Sequence, residues 1–300
     1  MENSSETSET KNQDWYDKWY KTLLIFPVII MIFSLAYLGY FFYNHGDIML
    51  KDSSLTGGTT ITLTGNIDLE SLESSLKTSF SDLRTRKLTD LMTGEPVSFI
   101  IESSATPEEL KPAIEKILGY KLTEKNSNTE FTGPSLSQSF YKQLIMALII
   151  SFILMSITVF IIFRTFVPSI AVIFAALGDI VMPLALINYL GISLSAAGIA
   201  AFLMLIGYSV DTDILLTTRA LRTKGGNINQ RIYRAFITGT FMTITALAAV
   251  LPAFFIVSGL PDSFRQIFFI LALGLTADIV NTWLTNASII KWYCDRKGIK

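Results

Sequence analysis

Six apolar blocks, each about twenty residues long, limit what this chain can fold into before any motif is considered. Within a hydrocarbon layer no water satisfies backbone amides, so a crossing segment is helical or belongs to a closed barrel. Blocks this long and continuous read as helices. They lie near Leu23 to Tyr43, Leu144 to Phe163, Val167 to Leu190, Leu194 to Leu216, Ala235 to Val257 and Phe264 to Ile290. Half of the residues are hydrophobic and 16% are charged, against roughly 25% charged in an average soluble chain. The expected class is an α-helical integral membrane protein with six transmembrane helices. The first block exceeds a signal-peptide core and lacks a small-x-small cleavage pattern after Tyr43, so it reads as an anchor.

Orientation follows from the basic residues beside the spans. Arg219, Arg222, Lys224, Arg231 and Arg234 separate spans four and five, and Lys291, Arg296, Lys297 and Lys300 follow span six. The loops at Gly191 and at Gly259 to Gln266 offer only Arg265. A multi-pass protein of the cell membrane is expected, with residues 1–22 and 291–300 cytoplasmic and residues 44–139 outside. The net charge of −1 gives no reason to expect nucleic acid as a partner. Lone Cys294 excludes a disulfide framework, and no metal cluster or cofactor motif is present.

Residues 44–139, between spans one and two, turn abruptly polar. Thr59 to Thr64 reads as a strand entered through Gly57 and Gly58. Ile67 to Phe80 has helical spacing of Leu69, Leu72, Leu76 and Phe80, with Asp68 as cap. Val97 to Ile101 is a second strand. Thr106 and Pro107 then open a helix closed by Gly119. The alternation points to an α+β domain, ferredoxin-like, with two helices on one face of a sheet.

Charges inside the spans are the chemically informative residues. Insertion of a carboxylate at a helix centre costs roughly 2.5–3.5 kcal/mol, yet span four contains Gly207-Tyr208-Ser209-Val210-Asp211-Thr212-Asp213. The two aspartates lie about 200° apart on a helix, so they serve different sites. Asp211 shares its face with Gly207, Tyr208 and Thr218, and Asp213 with Ser209 and Thr217. One is expected to line a cavity between helices and the other to face a partner subunit. Asp179 stands in span three, and Asp278, Asn281 and Thr285 form a stripe on span six. Arg234 opens span five at a depth similar to that of Asp211, which makes it the expected counter-ion.

Leu55-Thr56-Gly57-Gly58-Thr59, Gly133-Pro134-Ser135-Leu136-Ser137 and Gly207-Tyr208-Ser209-Val210, at this spacing, resemble the SecF branch of the SecD/SecF protein-export family. Details look archaeal. The bacterial aspartate falls at Thr212, whereas the aspartate of the companion SecD aligns with Asp211, which ranks that residue first. Arg234 and Asp179 match charged positions of the family. The resemblance implies a six-span half-bundle of RND type that pairs with a SecD-like protein in a heteromer. It also implies action beside the Sec translocation channel on exported polypeptide, with proton coupling and passive holding both left open. Asp211, Asp213, Asp179, Arg234, Asp278 and Asn281 are the candidate intramembrane polar or proton-relay residues. Gly57, Gly58, Thr59, Gly133, Pro134, Gly207 and Tyr208 are the motif residues.

Two other classes of protein fit the sequence less well. Half of an RND-type transporter moving a small molecule or lipid is the alternative, although such transporters have about twice this number of spans. Intramembrane aspartyl proteolysis is disfavoured, because Ala176-Leu177-Gly178-Asp179 lacks the first glycine of the Gly-x-Gly-Asp motif. No catalytic residue is assigned.

Overall fold

The computed structural model describes residues 2–65, 67–89, 96–223, 225–256 and 262–299. Lys224, Val257, Gly259 and Lys300, used above to read spans and charges, lie outside them. Among the described residues six helical spans are long and apolar enough to cross a membrane. They belong to α1 (Glu2–His45), α5 (Pro134–Phe163), α6 (Phe166–Tyr189), α7 (Ala196–Arg222), α8 (Ile228–Ile256) and a composite sixth element. That last element joins α9 (Asp262–Val280), a π turn (Asn281–Asn286) and α10 (Ala287–Lys297).

The spans divide into inner and outer ones. The apolar stretches of α6 and α7 are more than half buried by protein, whereas those of α1, α5 and α8 are largely exposed. Small residues explain the inner position of α6, since Ala171, Ala175, Ala176 and Gly178 are all buried and let neighbouring backbones approach. The sixth span continues to Lys297, beyond the expected end near Ile290. Cys294 is therefore not part of a free tail: it is buried with Ile290 and Ala287 against α7 and α8. At that end Lys291 lies 2.8 Å from Asp17 of α1, whose carboxylate also accepts the Asn229 amide of α8 at 2.9 Å.

The domain between α1 and α5 contains β1 (Gly58–Thr64), α3 (Leu69–Lys77), β2 (Arg84–Thr89), β3 (Pro96–Ser103), α4 (Pro107–Leu118) and β4 (Ser127–Thr132). Strand order is β2-β3-β1-β4, and every neighbouring pair is antiparallel. This is the βαββαβ arrangement of a ferredoxin-like domain. Asp68 caps α3 by accepting the Glu70 and Ser71 amides, and Gly119 ends α4 at φ 73°. Ile61, Leu63, Phe99 and Ile101 of the sheet pack on Leu72, Leu76, Leu110 and Ile114 of the two helices. On the other face the Arg86 guanidinium lies 2.5 Å from the buried Glu102 carboxylate.

A short helix, α2 (Ser53–Thr56), ties this domain to the bundle. The Leu194 amide donates to the Leu50 carbonyl at 2.6 Å, and the Asp52 amide returns a bond to the Leu194 carbonyl at 3.0 Å. The Asn188 amide donates to the Ile48 carbonyl at 2.7 Å, and the Ala196 amide to the Ser54 hydroxyl at 2.9 Å. The tether is thus stitched to the loop between α6 and α7. Gly57, at φ 86°, then brings the chain against Pro134, where any Cβ would collide with the proline ring.

Candidate functional site

Four spans converge on a buried group of polar side chains. Asp179 of α6, Asp213 of α7 and Asp278 of α9 are each 1% exposed or less. In a membrane-spanning bundle such residues are placed by their partners, because lipid supplies none. The Asn281 amide donates to Oδ1 of Asp179 at 2.7 Å, and the Ser209 hydroxyl donates to its Oδ2. Oδ1 of Asp213 accepts the Asn286 amide at 2.7 Å and faces the Thr282 hydroxyl at 3.0 Å, while its Oδ2 has no hydrogen-bond partner. Oδ1 of Asp278 lies 2.9 Å from the Thr212 hydroxyl and 3.0 Å from that of Thr282. Its Oδ2 lies 3.4 Å from the Thr243 hydroxyl of α8.

The π turn shapes this group. The Ala287 amide bonds to the Thr282 carbonyl, five residues back instead of four. Within that turn Asn281 reaches Asp179, while the adjacent Thr282 reaches both Asp213 and Asp278. Asn286 completes the turn's contacts by meeting Asp213 and Thr217.

Several of the expected residues meet here, and others do not. Asp179, Asp213, Asp278 and Asn281 form one cluster. Asp211 is exposed on the opposite face of α7, with Gly207 and Tyr208. The expected Asp211 to Arg234 pair is absent from the ion pairs of the described residues. Arg234 is itself exposed, and its carbonyl accepts the Arg219 guanidinium at 2.8 Å. The reason is rotational: packing of α7 turns Ser209, Thr212, Asp213 and Thr217 inward and leaves Asp211 on the outer surface. Thr282, Asn286 and Thr243 were not singled out from the sequence. The spacing of Thr282 and Asn286 from Asp278, four and eight residues, was the available signal. Among the described residues no three acidic, histidine or cysteine side chains converge as a metal site requires.

The motif glycines meet at a second place. Gly57 packs on Pro134, and Gly58 runs against the Ser103 carbonyl, so the two outer motifs touch. The Thr59 hydroxyl donates to the Ala105 carbonyl at 2.6 Å. Beside them, Asp52 is 7% exposed and accepts the Ser54 amide at 2.9 Å and its hydroxyl at 2.6 Å. Burial pushes the Asp52 carboxyl up to about 7, with the Ser54 hydroxyl opposing part of the shift.

Fold and cluster together define a class: a polytopic membrane protein built as a six-helix half-bundle, with one ferredoxin-like domain between its first two spans and carboxylates buried among the helices. Residues 114–296 match the family described as protein export membrane protein SecD/SecF, C-terminal. SecF of Methanolacinia petrolearia is 33% identical over 93% of this chain and 95% of its own length. SecF of Methanocaldococcus jannaschii is 35% identical over 92% of this chain and 96% of its own. The structure of SecDF from Thermus thermophilus superposes with a TM-score of 0.74 at 16% identity, covering 93% of this chain and 38% of that one. A super-membrane-facing form of SecDF gives a TM-score of 0.58 at 18% identity, covering 93% and 39%. The chain belongs to the SecF family of protein-export membrane proteins. Its role is that of an accessory in Sec protein export.

Proposed function

We propose that the chain is one half of a heteromer with a SecD-like six-span protein, and that the pair assists polypeptides through the Sec translocation channel. The carrying observation is the exposed Asp211 carboxylate within α7, which joins no ion pair among the described residues. About 16 Å of helix separates it from Arg222. A carboxylate there facing lipid is costly, so this face of α7 is complete only against a second membrane protein. The SecDF chains supply more than twice the length covered by this chain, in keeping with a partner that provides the rest.

The basic residues at one end of the bundle support cytoplasmic termini and an outer domain on the far side of the membrane. The buried Asp179, Asp213 and Asp278 support coupling of export to the proton gradient, with protonation changing how α6, α7 and the sixth span pack. Near full-length similarity to SecF relatives favours this reading over a half-transporter for small molecules.

Reconstitution with a SecD-like partner and the channel in sealed vesicles tests it. Export of a signal-bearing polypeptide should be stimulated by an imposed proton gradient, and Asp278→Asn should remove that stimulation. Asp211→Leu should instead weaken co-purification with the partner. Stimulation that survives Asp278→Asn refutes the coupling, and a chain that does not co-purify with any SecD-like protein refutes the pairing.

A further inference from the structure

A threonine hydroxyl has one proton to donate, and an ionised carboxylate can only accept. Thr212 Oγ1 lies 2.8 Å from the Ser209 carbonyl oxygen as well as 2.9 Å from Oδ1 of Asp278. Thr243 Oγ1 lies 3.2 Å from the Gly239 carbonyl oxygen as well as 3.4 Å from Oδ2 of Asp278. Thr282 Oγ1 sits 3.0 Å from Asp278 and 3.0 Å from Asp213. If both aspartates were ionised, each hydroxyl would satisfy one neighbour and leave another oxygen facing it with no hydrogen between. A proton on Oδ1 of Asp278 removes the conflict at Thr282, because Asp278 then donates to the hydroxyl and the hydroxyl donates to Asp213.

The other two carboxylates are served differently. Asp179 receives the Asn281 amide and the Ser209 hydroxyl, and Asp213 receives the Asn286 amide, all of them donors. Asp179 is the remaining titratable group facing the pair, and the ion pairs of the described residues include none of the three aspartates.

We propose that Asp278, Thr282 and Asp213 form a proton bridge in which the Thr282 hydroxyl carries one proton between the two carboxyls. The proton on Oδ1 of Asp278 passes to Thr282 Oγ1 while the hydroxyl's own proton passes to Oδ1 of Asp213. Two O–H bonds break, two form, and the charge of the cluster is unchanged. The unpartnered Oδ2 of Asp213 leaves an acceptor for onward transfer. Thr282 stands one helical turn from Asp278, and the π turn that holds it presents it to Asp213 as well. This bridge deepens the proton-coupled reading and rests on it for its purpose, but its test needs no export.

Infrared spectroscopy of the purified full chain in lipid nanodiscs follows the C=O stretch of protonated carboxyl groups, and transfer to heavy water reads their exchange. The bridge requires a band at neutral pH that shifts or disappears in both Asp278→Asn and Asp213→Asn. Exchange of that band should slow at least about tenfold in Thr282→Val and keep its original rate in Thr282→Ser. Unchanged exchange in Thr282→Val overturns the bridge, as does a band indifferent to Asp213→Asn. Should Thr282→Val fail to fold, Thr282→Cys, similar in size and a weak donor, carries the same two readings. Loss of gradient-stimulated export with this infrared pattern intact counts against the export reading alone.

Discussion

Nδ2 of Asn281 lies 2.7 Å from Oδ1 of Asp179, and a Cβ on neighbouring Gly178 would come 2.7 Å from that same nitrogen. The glycine therefore exists to let the amide in. Gly178→Ala should push Asn281 off Asp179 and lower stability by about 1–3 kcal/mol, as overpacking does in well-filled interiors. Thermal unfolding in detergent checks this, and adding Asn281→Ala should give a double-variant cost smaller than the sum of the two single costs.

Asp52 predicts a pH dependence with a definite sign. Its carboxyl titrates near 7 in the folded chain and at an ordinary 3.8 when unfolded. Between those values the native state holds a proton that the unfolded state has released, so stability falls as pH rises from about 4 to about 7. Below that window both states are protonated, and above it the loss is complete. The difference in stability between the original chain and Asp52→Asn should change by on the order of 2–4 kcal/mol across it. Denaturation followed at pH 4, 5.5 and 7.5 measures the gap, and a pH-independent gap refutes the assignment.

Two motif glycines should differ in their response to alanine. Gly57 combines a φ of 86° with direct collision against Pro134, so Gly57→Ala should cost about 2 kcal/mol or more. Gly133 has φ −66° and open space around it, so Gly133→Ala should stay within about 0.5 kcal/mol. Limited trypsin digestion of the domain between α1 and α5 reads both, with Gly57→Ala cut faster and Gly133→Ala unchanged.

The pair of Arg86 and Glu102 offers a third contrast. Glu102 is buried, so Arg86→Met leaves a carboxylate without its cation and should cost about 3–5 kcal/mol. Replacing both, as Arg86→Met with Glu102→Leu, should cost less than the single change. A double-substitution cycle in urea supplies the comparison.

The spans were legible because lipid demands long apolar runs, and β1 and β3 because they carry the sheet's apolar residues. β2 and β4 were not seen. They are edge strands reading Arg-Thr-Arg-Lys-Leu-Thr and Ser-Asn-Thr-Glu-Phe-Thr, in which most residues are polar and no apolar alternation is present. At the site, helical geometry correctly separated Asp211 from Asp213 but could not say which face turns inward, since tertiary packing sets that rotation. The small polar residues beside Asp213, namely Ser209, Thr212 and Thr217, were the better guide, because such residues line interfaces between membrane helices. A stripe drawn from Asp278 at steps of three and seven residues found Asn281 and passed over Thr282, which stands at the equally helical step of four and reaches Asp213 as well.

A single residue, Gly133, separates the last pairing of β4 from the first turn of α5. With 30 residues, α5 is about 45 Å long. With so short a join, a pivot of α5 by about 5° at its far end corresponds geometrically to about 4 Å at β4. A tilt of α5 would thus be passed to β4 almost undiminished.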